Sequence, residues 1–167
     1  MSGVEEWLEP PQMDTGAPMP GVMAIGPELY LAYIVGANEP SELEDFAVVR
    51  FSGVLQHIFG YPNDEALGGH ALFKLGLKFY AFNLIEDSPY LRELGERNAK
   101  VFPGTESIYE GFRHWIVTLH DQTLEVIARS AEVVGRVEAR DALSAINWHI
   151  ERGTSSEAAS NKSGSGG

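Results

Sequence analysis

The sequence predicts an α+β fold: a single domain, mostly a curved antiparallel sheet, with two helices packed on one face. Three observations carry this expectation. Apolar and polar residues alternate in short runs through the middle of the chain. Helical spacing is confined to two segments of the second half. The strand–helix–strand alternation of a parallel sheet is absent. With 167 residues and 44% hydrophobic side chains, the chain is long enough for one ordinary core without disulfides or metal.

Residues 1–20 hold prolines at 10, 11, 18 and 20 and little periodicity, so they read as an extended acidic arm with Trp7 as its anchor. The domain proper spans 21–152. Glu28–Val35 alternates as a strand, and the Asn38-Glu39-Pro40-Ser41 sequence marks a loop. Phe46–Phe51 is a second strand; Gly53 permits a bend before a third, Val54–Phe59. Loops follow at Tyr61-Pro62-Asn63-Asp64 and Gly68-Gly69. Leu75–Ile85 reads as a long aromatic strand. Asp87-Ser88-Pro89 starts a helix, because a side-chain oxygen can cap exposed amides and proline fits the first helical position; that helix ends near Asn98. Phe112–Leu119 and Leu124–Ala128 form a hairpin turning through His120-Asp121-Gln122-Thr123. Glu138–Ile150 carries a helical apolar stripe. Residues 153–167 are rich in Ser and Gly and read as a disordered tail or linker.

Charge is lopsided. The net charge is −12, and nine carboxylates precede the first basic side chain, Arg50. Such a field repels nucleic acid and anionic membrane and attracts a basic partner; plain solubility is the simpler use of the same charge. No signal peptide or membrane-spanning stretch stands out, since Pro27 and Glu28 interrupt the most apolar segment. Zero cysteines remove thiolate chemistry and suit a reducing cytoplasm. No cofactor and no metal site are expected: His114 and His120 are six residues apart, roughly 20 Å along a straight strand at about 3.3 Å per residue, too far to share an ion.

Within the hairpin, Trp115, Val117 and Leu119 share one face, and His114, Ile116, Thr118 and His120 the other. The first face reads as core, the second as a solvated or cleft-lining surface. His120 and Asp121 are the right types for an acid/base dyad, but neighbours on a strand point apart, and Asp121 suits turn chemistry better. Nucleophile elbows and phosphate loops are missing.

Two functional expectations follow. The first is a non-enzymatic interaction module, an accessory subunit or inhibitor-like protein. It would hold a basic protein partner through Trp7, Glu42, Glu44 and Asp45. The second is a small-molecule binder or enzyme with a sheet-face pocket formed by Arg113, His114, His120 and Glu125. An edge strand such as Glu28–Val35 would allow a homo-oligomer.

Overall fold

Two antiparallel sheets face each other across a shared apolar layer. They were located in a computed structural model, which describes residues 1–36 and 41–163. The loop expected at 38–41 therefore falls mostly outside the described residues, as does the end of the tail, 164–167.

One sheet has five strands in the order β1-β6-β7-β8-β5 and the other four, in the order β2-β3-β4-β9. In chain order these are β1 Gly3–Glu6, β2 Gly21–Ile25, β3 Glu28–Ile34, β4 Glu44–Ser52, β5 Gln56–Gly60, β6 Phe82–Glu86, β7 Arg113–Thr118, β8 Thr123–Ala128 and β9 Ser130–Ala139. Helix α1 spans Pro89–Val101 and α2 spans Ala142–Ser163. The α+β class is as expected for a single domain. Its alternating strands divide between two sheets rather than one, because a period of two fixes which face a residue takes but not which strands pair.

The shared core takes Leu29, Leu31 and Tyr33 from β3, Val49 and Phe51 from β4, and Trp115, Val117, Leu124 and Val126 from the β7–β8 hairpin. The expected core face of the hairpin is thus the inter-sheet face. Helix α2 lays Ala142, Ala145 and Ile146 on Ala32, Phe46 and Val48, the outer face of the four-stranded sheet. The outer face of the five-stranded sheet is covered by the 67–77 segment, where Leu67 and Leu77 meet Ile85 and Ile116.

Local chemistry explains several boundaries. Ser88 caps α1 by accepting from the Leu91 amide at 3.3 Å, with Pro89 at the start. Asp141 accepts from the Ser144 amide at 2.7 Å where α2 begins. The long strand expected over Leu75–Ile85 is shorter: Phe73–Leu75 is a 3-10 turn, Gly76 and Tyr80 have φ of +101° and +51°, and extended pairing resumes only at Phe82. The second half of the expected Glu138–Ile150 helix is right, but its first residues close β9. Helix α2 continues through 154–163, the first part of the stretch that composition assigns to a tail.

The N-terminal arm is extended and docked. Strand β1 pairs with β6, Met13 is buried in the core, and the Trp7 indole meets Phe82 edge-on at 5.8 Å. Strand β3 is not an edge: it pairs with β2 on one side and β4 on the other. The oligomer expectation attached to Glu28–Val35 is therefore corrected, because both backbone edges of that strand are used inside the chain. No helix among the described residues is long and apolar enough to cross a membrane.

Candidate functional site

The outer face of the β7–β8 hairpin, read as solvated or cleft-lining, is mostly sealed. His114 and Ile116 are fully buried and Thr118 nearly so. A buried histidine needs a partner for each ring nitrogen. His114 Nδ1 lies 2.8 Å from Ser88 Oγ, and Nε2 lies 2.7 Å from Glu125 Oε1. An ionised carboxylate only accepts, so Nε2 carries the ring proton and the Ser88 hydroxyl donates to Nδ1. Ser88 Oγ still accepts from Leu91, so a single serine joins the helix cap to the sheet.

Glu125 stands at the end of this chain with a second histidine beyond it. His70 Nδ1 accepts from the Leu72 amide at 3.1 Å, which leaves its proton on Nε2, 3.6 Å from Glu125 Oε2. Burial pushes the Glu125 carboxyl upward, but the hydrogen bond from His114 and the nearby His70 imidazole outweigh it and hold the group at about 2. The carboxylate is anionic at neutral pH, with 19% of its side chain accessible.

That accessible part faces a cleft of about 390 Å³, walled by Ile58, His70, Leu72, Pro89, Tyr90 and Glu93. Strand β5 supplies Ile58, the 3-10 segment supplies His70 and Leu72, and the first turns of α1 supply the rest. The Tyr90 hydroxyl is fixed by Gln56 of β5, 2.9 Å from its Nε2, and the Tyr90 ring lies 6.0 Å from that of His114. A separate cleft of about 500 Å³ opens beside Ser88, between Glu5, Glu86, Asp87, Arg92 and Arg113.

Of the pocket residues expected from sequence, His114 and Glu125 meet directly, Arg113 lines the neighbouring cleft, and His120 belongs elsewhere. His120 Nδ1 lies 2.8 Å from Asp64 Oδ2, not on Asp121. Asp64 also accepts the Tyr80 hydroxyl. The Tyr80 and His120 hydrogen bonds lower the Asp64 carboxyl below its ordinary value, and Asp64 in turn raises His120. Asp121 is exposed at the hairpin tip, which is closed by the Leu119 amide donating to the Gln122 carbonyl at 2.9 Å. Among the described residues no group of three or more His, Asp or Glu could hold a metal ion.

The residues expected to meet a basic partner are spread over the N-terminal half. Trp7 is half-buried against its own sheet, Asp45 pairs with Arg136, Glu44 accepts from the Ser41 amide at 2.9 Å, and Glu42 is exposed. Elsewhere in this acidic region Glu6 pairs with Lys78 at 2.6 Å and Glu28 with Arg50 at 3.7 Å.

Sequence reasoning missed His70, Ile58 and Asp64 as members of these clusters, and placed Tyr90 only among the aromatic residues of a core or pocket. The one local signal was Ser88, visible as the start of the helix that carries Tyr90. No family model matches the chain, and no curated protein or solved structure matches it.

Proposed function

We propose that the protein binds a small molecule in the cleft over Glu125. The supporting observation is the carboxylate itself: held ionised by the His114 and His70 imidazoles, it presents an accessible edge on the floor of a cleft walled by Ile58, Leu72, Pro89 and Tyr90 together with His70 and a second carboxylate, Glu93. A ligand with a compact cationic or hydrogen-bond-donating end and an apolar body suits these walls. Binding fits better than proton abstraction, because a carboxyl held at about 2 is a weak base at neutral pH. His114 is no better placed as a base, both its nitrogens being engaged.

The test is a binding screen of small primary and quaternary amines carrying apolar groups, read by thermal shift and calorimetry. Wild-type protein should bind at least one, and Glu125→Gln should lose that binding while retaining its circular dichroism. Equal binding by Glu125→Gln would refute the reading.

A second reading, an accessory or inhibitor-like module for a basic partner, retains support from the exposed carboxylates Glu5, Glu9 and Glu42. Salt-sensitive binding to a basic protein such as a histone should weaken when these three become Gln; binding unchanged by that substitution would exclude this surface. Either role suits the cytoplasm, where a cysteine-free chain is at no disadvantage.

A further inference from the structure

Strand β5 is an edge of the five-stranded sheet. It pairs with β8 on one side, and its other backbone edge has no strand partner among the described residues. Exposed edges are normally blunted by charge, bulges or short length. Two of the other edges here follow that pattern. β1 has four residues and carries Glu5 and Glu6. β9 carries Glu132, Arg136 and Glu138 and is kinked by a register shift opposite Val48 and Val49. β2 is as short and as uncharged as β5 but shows only one exposed large apolar side chain among its described residues, Ile25.

β5 is short but carries neither charge nor bulge. No Asp, Glu, Lys or Arg occurs from Phe51 to Asn63. Leu55, Ile58, Phe59 and Tyr61 are exposed along it, Tyr61 at 81%. In a chain of net charge −12, this is an edge on which two copies can meet without carboxylates opposing one another. A basic partner would find no anion on the strand to prefer it.

We propose that β5 is the contact for a second copy of this chain, the two β5 strands pairing antiparallel about a two-fold axis through Ile58. This register sets Ile58 against its own copy, His57 against Phe59 and Gln56 against Gly60. Each pair falls on a common face, because side chains two apart on a strand point the same way. The five-stranded sheets become one continuous sheet. Ile58 is also a wall of the cleft, so the second copy's Ile58 lies beside the cleft mouth. The pairing does not depend on what the cleft binds.

Sedimentation and light scattering of the full chain test it. Wild-type protein should dimerise below roughly 0.1 mM, the weak end of specific association. Ile58→Lys should weaken the dimer by about tenfold or more, since like charges then face each other across the axis. Mixing Ile58→Lys with Ile58→Glu should restore a heterodimer, which a merely damaged fold would not do. The same pair of substitutions at the exposed His57, whose copies become diagonal neighbours, reads the interface independently should Ile58→Lys unfold. A wild-type monomer across that range, an unchanged Ile58→Lys dimer, or mixtures that stay monomeric would overturn the pairing.

Discussion

His114 and Glu125 join the two strands of the hairpin diagonally, Nε2 to Oε1 at 2.7 Å, although the ladder sets His114 opposite Ile127 and Glu125 opposite Ile116. A diagonal step suits long side chains across an antiparallel pair. It carries the polar chain from the buried cap of α1 to the floor of the cleft.

Removing this histidine should cost stability. His114→Ala leaves a cavity at a fully buried position and takes the hydrogen-bond partner from Glu125, a loss of about 3 kcal/mol or more. Urea unfolding measures it. His120→Ala, on a side chain 39% accessible, should leave the urea midpoint nearly unchanged. If the two variants lose equal stability, the buried chain is not the anchor described.

The Glu125 carboxyl makes an acid-side prediction. A folded-state value of about 2 against an ordinary 4.5 means that the ionised form stabilises the fold above pH 4.5. That contribution declines as pH falls through this window and is lost near pH 2. The stability difference between wild type and Glu125→Gln should therefore be flat from neutral pH to about 4.5 and shrink below it, as followed by chemical denaturation at fixed pH values.

The Asp64–His120 pair works in the opposite direction. Asp64 raises the His120 imidazole above its ordinary 6.5, so the pair's contribution is fully present below 6.5 and fades as pH rises through the folded-state value. Asp64→Asn should bring the His120 titration, followed by NMR of its ring protons, down toward 6.5. An unmoved titration would mean that the pair does not form in solution.

Gly21 tests the seat of α2. A Cβ there would come within 2.5 Å of the Ala142 Cβ, so β2 and the first turn of α2 touch only because one residue lacks a side chain. Gly21→Ala should destabilise by about 1–3 kcal/mol. Adding Ala142→Gly should recover part of the loss despite its own helix penalty, and a double-mutant cycle with additive effects would show that the two do not touch.

Much of the hairpin was legible because its information is local. Alternation through Trp115, Val117 and Leu119 assigned the core face, and Asp87-Ser88-Pro89 announced α1 with its cap. Strands β1, β2 and β9 were not legible. β1 is short, β2 is a short apolar run without alternation, and β9 alternates half-buried with exposed residues around Gly135, so none shows the apolar–polar alternation of a strand with one buried face. Tyr80 at positive φ broke an expected strand because nothing in a tyrosine announces a left-handed backbone.

The site followed the same division. His114 and Glu125 were named together because they share the outer face of one hairpin. Asp121 was weighed for His120 because it is adjacent, whereas Asp64, 56 residues away, was invisible to any argument from spacing.

By itself the sequence determined the fold class, the face each hairpin side chain takes and the start of the first helix, all consequences of backbone geometry over a few residues. The tertiary structure alone decided that the strands form two sheets, that the acidic arm pairs inward and that His114 is sealed rather than solvated. Those outcomes depend on which distant segments cover a given face, and burial, ion pairing and the ionisation of Glu125 are set by what lies across the gap.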